Sequence, residues 1–562
     1  MSLISRLLRL ICVALFLLSI SPARAHAPVL RVSGSLSASR GTATDGGLVL
    51  DSPTVTGPLP AVRAGDPSRN YPFDASLVPV SEYGYTEKEY FFSGDTSVGS
   101  YTSRMLVRRP TDPADFSGTA IVEWANDAQK FDLDLLWAES AADIMRSGDA
   151  FVLVSAQTEG VYAPNTALKA WNPQRYAPLS MPRVGSDVEE PASFQIFGQA
   201  LEAIRSGASG APLGGLQTER LIATGGSESA VTMTTYASQY GPRYGGVDGY
   251  LIWDLSTASL GDSPPKAETI PSPTTTAGPP VLWINTESDA ARTRTTPDGP
   301  EYRLWELAGA SHVDFDLWEY NAAIERRDFG SWPALPTCTY RPFSRIQTGY
   351  ALDAGIADLT TWIKTNTPPP SQPPLQYDGQ GNVVRDSYGN ALGGVRLPDE
   401  AVPTAASGGQ NSGAGCSGYS IPFTAEVLRD LYPTHADYVA KVKWAAEAAV
   451  EADVMVPYDA QQAVDAAAAA DIPPGVATGH SAKSCAARRA VSIRIPPTFR
   501  RRRVLRARIT TAGHRAIITH GGRRVRLVLR RRTGDKVRVR IALRLHGGKR
   551  VVQVRAYRMC RR

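Results

Sequence analysis

Residues 221–232 read Leu-Ile-Ala-Thr-Gly-Gly-Ser-Glu-Ser-Ala-Val-Thr. A strand-type run enters a glycine-rich turn at Ser227, and a helix-type segment follows directly, which is the context of a serine nucleophile presented on a sharp strand-to-helix turn. The turn needs small residues two positions before and after the nucleophile, and Gly225 and Ser229 meet this requirement. A Gly/Ser turn whose serine only caps a helix has the same pattern. The stretch by itself leaves both interpretations open.

The residues around this stretch predict short apolar strands that alternate with amphipathic helices. Strands are expected at 120–123, 151–155, 221–224, 250–253, 281–285 and 303–307, and helices at 133–146, 194–206, 229–240 and 350–365. Three further helices are expected at 425–431, 436–451 and 459–470. This alternation is typical of a mainly parallel sheet with helices on both faces, so the predicted fold class is α/β.

The start of the chain predicts export. Arg6 and Arg9 precede an apolar run at 10–20, and the small-residue site Ala23-Arg24-Ala25 follows. This is the pattern of a cleaved signal peptide, here 1–25, and the run is too short to remain as a membrane span. We therefore expect a mature protein without a transmembrane helix, secreted or associated with the cell envelope.

The cysteines agree with an oxidising compartment. Cys12 lies in the expected signal peptide, which leaves Cys338, Cys416, Cys485 and Cys560. Four cysteines allow three pairings. We favour Cys338 with Cys416 and Cys485 with Cys560, because the second pair brackets a basic tail. No Cys-x-x-Cys or His-Glu-x-x-His spacing occurs, so neither a metal site nor a cofactor is expected.

The remaining chain divides by composition and charge. A β-rich N-terminal segment is expected at 26–117, the α/β domain with its Pro/Gly-rich loops at 118–471 and a linker at 472–484. The tail at 485–562 carries 26 of the 60 Lys and Arg and a single acid, which gives it +25 and leaves −19 for the residues before it. Alternating Arg and apolar residues predict a small β-domain there, with a hairpin between 524–530 and 537–545.

A serine nucleophile needs a base, and few histidines lie where one could serve. Of seven histidines, His312 and His435 fall in the α/β body, and the others lie at the signal junction, in the linker or in the tail. His435 begins a helix, where a capping or surface role is expected. His312 follows the last predicted strand, where a loop can carry imidazole over the sheet edge to Ser227. We therefore expect His312 to be the base.

The remaining site residues are expected in two loops. Glu287 and Asp289 follow the strand before that of His312, and either can be the acid that orients the imidazole, with Asp289 preferred because it lies farther beyond the strand end. The backbone N–H groups of Glu228, after the nucleophile, and of Asn126, in an earlier strand-to-helix loop, are the expected oxyanion donors.

These motifs resemble the alpha/beta hydrolase domain family of secreted or cytoplasmic ester hydrolases. The likeness covers about 53–470 and lies in the following segments: 84–90, 122–126, 155–157, 175–176, 226–230, 286–289, 305–312 and 386–398. The resemblance implies the α/β-hydrolase fold, an ester-type substrate and Ser227 and His312 as catalytic residues. The family usually has Gln where Glu228 stands, which implies that a negative charge beside the nucleophile alters activity or oxyanion binding.

Two classes of function follow. The first is an exported serine hydrolase that cleaves a carboxylic ester, small or borne on a polymer, through an acyl-enzyme; an acyltransferase or lactonase would use the same residues. The second is an exported protein with a hydrolase fold and little turnover, whose Arg-rich tail binds an anionic cell-surface polymer. The tail has neither a recognition-helix signature nor an aromatic stacking platform, so sequence-specific nucleic-acid binding is not expected.

Overall fold

The strands predicted around Ser227 form the centre of a nine-stranded sheet. The computed structural model describes residues 50–182, 191–206, 211–255, 278–290, 297–331, 333–474, 490–494, 498–499, 502–511, 514–518, 524–528, 536–546 and 550–558. The strands of the sheet are β1 (Thr54–Thr56), β2 (Tyr85–Thr96), β3 (Gly99–Pro110), β4 (Thr119–Trp124), β5 (Ala150–Ser155), β6 (Arg220–Gly226), β7 (Gly249–Trp253), β8 (Val281–Thr286) and β9 (Tyr302–Leu307). Their spatial order is β1-β2-β3-β5-β4-β6-β7-β8-β9.

The parallel half of the sheet holds the core. Strands β5, β4, β6, β7, β8 and β9 pair in parallel in that spatial order. Every residue of β4 to β8 is buried, as expected where helices cover both faces of a parallel sheet. The predicted α/β class is confirmed, and all six predicted strands are present within about two residues of their expected ends.

The N-terminal β-rich residues extend this sheet. β2 and β3 pair antiparallel over their whole length, and β3 joins β5 antiparallel. Two buried arginines on β3 keep their charges paired: Arg104 Nε lies 2.6 Å from Glu89 Oε1, and Arg108 Nε lies 2.7 Å from Glu87 Oε2. The antiparallel strands therefore continue the core rather than form a layer of their own.

Helices flank the sheet and connect its strands. They are α1 (Leu135–Ser147), α2 (Thr158–Tyr162), α3 (Leu168–Trp171), α4 (Pro191–Arg205), α5 (Glu228–Thr235), α6 (Gly241–Tyr244), α7 (Glu287–Ala290), α8 (Phe315–Phe329), α9 (Thr348–Thr365), α10 (Pro398–Ala401), α11 (Ala425–Leu431), α12 (His435–Glu451) and α13 (Pro457–Ala469). Helices α1, α8 and α9 pack together. The helix expected at 229–240 ends earlier, because α5 gives way to one π-helical turn at Tyr236–Tyr240. Helix α8 was not predicted.

A disulfide ties the Pro/Gly-rich loops to the body. Cys338 and Cys416 are bonded, with their Cα atoms 5.8 Å apart, so this predicted pairing is confirmed. The loops also contain a short antiparallel pair, β10 (Ala405–Gly408) and β11 (Tyr419–Pro422). The other predicted pair, Cys485 with Cys560, lies outside the described residues, as do the expected signal peptide and most of the linker.

The described residues of the basic tail form two small antiparallel sheets; the predicted β structure is present, but the predicted strand pairing is not. Its strands are β12 (Ala490–Arg494), β13 (Thr498–Phe499), β14 (Arg502–Thr511), β15 (His514–Ile518), β16 (Arg524–Val528), β17 (Lys536–Leu545) and β18 (Arg550–Arg558). The expected hairpin of β16 with β17 is wrong, because β16 pairs with β12 and β17 pairs with β14 and β18. A two-residue period identifies a strand, but its partner depends on tertiary packing.

Within the described residues, no helix combines the length and the apolar character needed to span a bilayer.

Candidate active site

Ser227 lies on a strained turn between β6 and α5. Its φ of 61° and ψ of −121° place it outside the usual regions for a residue with a side chain. The close approach of the backbone explains the two preceding glycines. A Cβ on Gly225 would lie 2.3 Å from the carbonyl oxygen of Ser229, and one on Gly226 would lie 2.4 Å from Cε2 of Trp253. Any larger residue at either position would push the elbow out of place.

Ser229 stabilises the same turn. Its Oγ donates to the carbonyl oxygen of Gly226 at 2.8 Å and accepts from the backbone N–H of that residue at 3.1 Å. A serine here is small enough for the turn and adds two hydrogen bonds that a glycine would lack. Nucleophile elbows usually follow the pattern Gly-x-Ser-x-Gly, and here Ser229 stands at the position of the second Gly. Its small size and its two hydrogen bonds explain why the elbow still forms.

His312 reaches Ser227 from the loop after β9. Its Nε2 lies 2.7 Å from Ser227 Oγ, and its Nδ1 lies 2.8 Å from Oδ2 of Asp289. The imidazole is 23% exposed and the Asp289 carboxylate 8% exposed, so the histidine keeps some contact with solvent while its acid partner is buried. In this arrangement the carboxylate fixes the ring orientation and Nε2 can take the hydroxyl proton. The two residues predicted from separate loops, Ser227 and His312, are therefore brought together.

Glu287, the alternative acid, faces away from the histidine. Its carboxylate pairs with the guanidinium of Arg385 and accepts backbone N–H bonds from Gly409 and Gly309, each at 2.9 Å. These contacts join three segments: the turn after β8 that carries Glu287 and Asp289 (the acid turn), the loop before His312 and the Pro/Gly-rich loops. Of the two acids left open by the sequence, the structure places Asp289 at the imidazole and Glu287 in a structural ion pair.

A second carboxyl group near the imidazole, Asp254, was missed. It directly follows β7, is buried, and accepts from the backbone N–H of Thr286 at 2.9 Å. One oxygen of Asp254, one of Asp289 and one ring nitrogen of His312 lie within 4.8 Å of one another. The sequence could have indicated Asp254, because it follows the strand next to that of Ser227. The carboxyl ends of parallel strands lie at the same sheet edge, so the two residues lie on the same side of the sheet.

These charges shift the proton affinity of the cluster. Burial alone would lower the pKa of His312, but the charge and hydrogen bond of Asp289, with a contribution from Asp254, raise it to about 9. Burial raises the pKa of Asp254 to about 8; the nearby imidazole opposes that rise and the Asp289 charge adds to it. Because all three groups interact, they titrate together.

The expected oxyanion donors differ in availability. Glu228 is the first residue of α5, where a backbone N–H has no partner within the helix. The backbone N–H of Asn126 instead donates to the carbonyl oxygen of Leu133 at 3.1 Å, because the loop folds back on itself. The expected backbone role of Asn126 therefore disagrees with this structure. Its side chain contacts the elbow, since Nδ2 donates to the carbonyl oxygen of Gly226 at 3.1 Å.

The Asp254, Asp289 and His312 group is also the one set of potential metal-binding side chains found among the described residues. His312 and Asp289 are already bonded to each other and His312 to Ser227, which is the arrangement of a Ser-His-Asp catalytic triad. His435, the other histidine considered, lies at the start of α12 and bonds through Nδ1 to the carbonyl oxygen of Ile472. It plays no part in this site.

A parallel sheet with a serine elbow after β6, an acid after β8 and a histidine after β9, all meeting at one sheet edge, defines the class of α/β hydrolases. The chain belongs to the family described as "Alpha/beta hydrolase domain", which matches residues 55–465. Membership of this family makes the protein a hydrolase and confirms the resemblance inferred from its motifs.

Solved structures with partial similarity come from bacteria and a fungus. An α/β serine hydrolase without a lid from Xanthomonas campestris is 12% identical, with 44% of this chain and 96% of that chain covered and a TM-score of 0.27. A fungal esterase from Rhizomucor miehei is 14% identical, with 43% and 83% covered and a TM-score of 0.28. An α/β serine hydrolase homologue from Coxiella burnetii is 12% identical, with 42% and 95% covered and a TM-score of 0.26. No curated protein is similar to the chain in sequence.

Proposed function

We propose that the protein is an exported serine hydrolase that cleaves a carboxylic ester through an acyl-enzyme. The observation that carries the proposal is the hydrogen-bonded series from Ser227 Oγ to His312 Nε2 and from His312 Nδ1 to Asp289 Oδ2, at 2.7 and 2.8 Å. A serine hydroxyl is a weak nucleophile at its ordinary pKa and needs an adjacent, oriented base. Both requirements are met at this elbow.

The reaction would proceed in two halves. Ser227 Oγ attacks the ester carbonyl carbon while His312 Nε2 takes its proton, and the tetrahedral intermediate collapses when His312 returns that proton to the leaving alcohol. Water then attacks the acyl-enzyme with His312 again as base. Asp289 keeps the proton-bearing Nδ1 oriented and stabilises the imidazolium in both halves.

Glu228 would supply one oxyanion donor through its backbone N–H, because it follows the nucleophile at the helix start. We assign Asn126 a positioning role in place of a donor role, since its side-chain amide bonds the carbonyl of Gly226 and so steadies the turn that carries Ser227. An acyltransferase or lactonase would use the same residues and differ in the acceptor or in the ring that is opened.

The test is covalent labelling of the mature protein with a fluorophosphonate probe, followed by mapping of the labelled peptide. We expect labelling at Ser227 that disappears in Ser227→Ala. Ser238→Ala is the matched control, because Ser238 lies on the turn after α5 and bonds only backbone carbonyls of that helix. Labelling that persists in Ser227→Ala, or its absence from the folded wild type, would contradict the proposal.

Export rests on the signal-type N-terminus and is supported by the Cys338–Cys416 disulfide, because such bonds persist in oxidising compartments. We expect the protein in the exported fraction to begin at His26. Intact-mass measurement of that fraction tests this directly, and a chain that retains residues 1–25 would contradict cleavage.

A second candidate, binding of an anionic cell-surface polymer, is favoured by one face of the tail. Arg506, Arg508 and Arg544 are exposed, and Arg506 lies directly opposite Arg544 in the pairing of β14 with β17. Like charges opposite each other are unfavourable unless an anion lies between them. We expect replacement of all three by Gln to weaken retention on heparin at low salt, whereas unchanged retention would exclude this face.

A further inference from the structure

We propose that Ser288 is a positioning residue for the reaction, because its hydroxyl connects the backbone of His312 to the loop between β10 and β11, residues 409–418 (the β10–β11 loop). Its effect on the rate rests on the proposed function. Ser288 lies between Glu287 and Asp289 in the acid turn, whereas β10 and β11 pair with each other outside the nine-stranded sheet. A loop outside that sheet would therefore be part of the support of the catalytic base.

The hydroxyl of Ser288 bonds in two directions. Its Oγ accepts from the backbone N–H of His312 at 2.9 Å and donates to the carbonyl oxygen of Gly409 at 2.7 Å. A serine hydroxyl can do both, because it carries one donor and two acceptor lone pairs. Alanine at this position would remove both bonds and leave the N–H of His312 without this acceptor.

The first residues of the β10–β11 loop lie directly against the acid turn. A Cβ on Gly409 would lie 2.4 Å from the backbone nitrogen of Ser288. Nε2 of Gln410 donates to the carbonyl oxygen of Ser288 at 2.6 Å, and the backbone N–H of Gly409 donates to Glu287 Oε1 at 2.9 Å. Backbone and side-chain bonds together therefore fix this end of the loop to the acid turn.

The last residues of the β10–β11 loop lie against the loop after β9 that carries His312 (the histidine loop). Ser417 Oγ accepts from the backbone N–H of Val313 at 3.2 Å, and a Cβ on Gly418 would lie 2.2 Å from Cβ of Ser311. The N–H of Gly418 also donates to the carbonyl oxygen of Gly409 at 2.9 Å. The two ends of the β10–β11 loop therefore meet, and they contact both segments that supply the base and its acid.

This support affects catalysis because the base must stay within bonding distance of the nucleophile. Nε2 of His312 lies 2.7 Å from Ser227 Oγ, and direct proton transfer needs about 2.6–3.2 Å. Asp289 bonds Nδ1 and limits rotation of the ring, whereas Ser288 limits movement of the backbone that carries it. A displacement of about 1 Å can lower a rate by about a hundredfold. Loss of the Ser288 hydroxyl should therefore slow proton transfer while the acid keeps its charge.

The experiment measures the rate of fluorophosphonate labelling at Ser227 from pH 6 to 10 in the full mature chain and in Ser288→Ala. We expect the fitted high-pH plateau to fall by about tenfold or more. The midpoint should stay, because Asp289 and Asp254 retain the charges that raise the pKa of His312. Ser371→Ala is the matched control and should keep the wild-type rate, because Ser371 is an exposed serine of the Pro/Gly-rich loops outside the β10–β11 loop.

Thermal unfolding of the same proteins distinguishes positioning from a purely structural role. A purely structural role would lower the melting temperature of Ser288→Ala and leave the plateau of the folded chain unchanged. That result, or an unchanged plateau at an unchanged melting temperature, would overturn the proposal.

Amide hydrogen exchange separates this inference from the proposed function. The N–H of His312 is bonded to Ser288 in the folded chain, so its exchange should be slow in wild type and in Ser371→Ala and about tenfold faster in Ser288→Ala. Equal exchange rates would overturn the role of Ser288 whether or not the protein hydrolyses esters. Faster exchange in Ser288→Ala, in a protein whose Ser227 is not labelled, would contradict only the proposed function.

Discussion

The backbone N–H of His312 donates to Oγ of Ser288 at 2.9 Å, so the histidine loop is bonded to the acid turn through its main chain. Ser288 Oγ in turn donates to the carbonyl oxygen of Gly409 at 2.7 Å. On the opposite side, the backbone N–H of Val313 donates to Oγ of Ser417 at 3.2 Å. The position of the imidazole therefore depends on the Pro/Gly-rich loops as well as on Asp289.

Replacement of the two acids after β8 should affect different properties: the Asp289 variant should lose activity, and the Glu287 variant should lose stability. Asp289→Asn leaves the fold intact but removes the carboxylate that orients His312, and a loss of kcat of about 10⁴-fold is expected for this kind of change. Glu287→Gln leaves the guanidinium of Arg385 without its charge partner, at a cost of about 3 kcal/mol.

Rates of ester hydrolysis and thermal unfolding, measured on both variants, check this separation. A larger loss of kcat in Glu287→Gln than in Asp289→Asn would reverse the assignment of the acid.

The rate of reaction at Ser227 should rise with pH along an acid limb whose midpoint is the pKa of His312. The imidazole accepts a proton only when neutral, and its pKa is raised to about 9, so labelling of Ser227 should rise with pH through that region. A raised folded-state pKa also means that the stability contributed by the imidazolium is complete below its ordinary pKa of about 6.5 and is lost as pH rises through about 9. Fluorophosphonate labelling rates from pH 6 to 10 test this.

The variant Asp254→Asn tests whether Asp254 contributes to the raised pKa of His312. This change removes one of the negative charges that raise the pKa of His312, so the labelling limb should move to lower pH while labelling itself persists. Superimposable limbs in wild type and variant would mean that Asp254 has no electrostatic effect on the base.

Gly226→Ala should damage the elbow. The new Cβ would lie 2.4 Å from the Trp253 ring, and overpacking of this kind costs about 1–3 kcal/mol. Gly379→Ala is the matched control, because no atom outside its chain neighbours lies within 4 Å of the Cβ position. We expect a lower melting temperature and reduced Ser227 labelling in the first variant alone, and equal melting temperatures would contradict the close approach.

Loss of the disulfide should destabilise the protein and loosen the histidine loop. Cys338 and Cys416 are separated by 78 residues, a loop for which the chain-entropy model assigns about 4 kcal/mol. The double variant Cys338→Ser, Cys416→Ser should melt at a lower temperature than the wild type, and reductant should lower its melting temperature by less than it lowers that of the wild type. A reductant effect of equal size in both proteins would place the sensitive bond elsewhere.

Local pattern was enough for the elements that are buried along their whole length. The strands on either side of Ser227 were predicted because continuous apolar runs of this length have few other structures available to them. The tight turn at Gly225 and Gly226 could also be predicted, since steric limits on a strand-to-helix elbow act over a few neighbouring residues. Local pattern does not determine which strands pair when other strands can compete, and the expected hairpin of β16 with β17 is wrong for that reason.

By itself the sequence determined the α/β class, the candidate elbow at Ser227 and a short list of candidate base and acid residues for that serine. Periodicity, turn sterics and the scarcity of histidines are properties of the chain alone. Only the tertiary structure decided which carboxylate meets His312, that the Asn126 N–H is already bonded, and that Asp254 lies beside the catalytic histidine. Those outcomes depend on how loops from five strands converge at one sheet edge. Residues close in the chain, such as Glu287 and Asp289, turn to opposite sides there, and residues far apart come into contact.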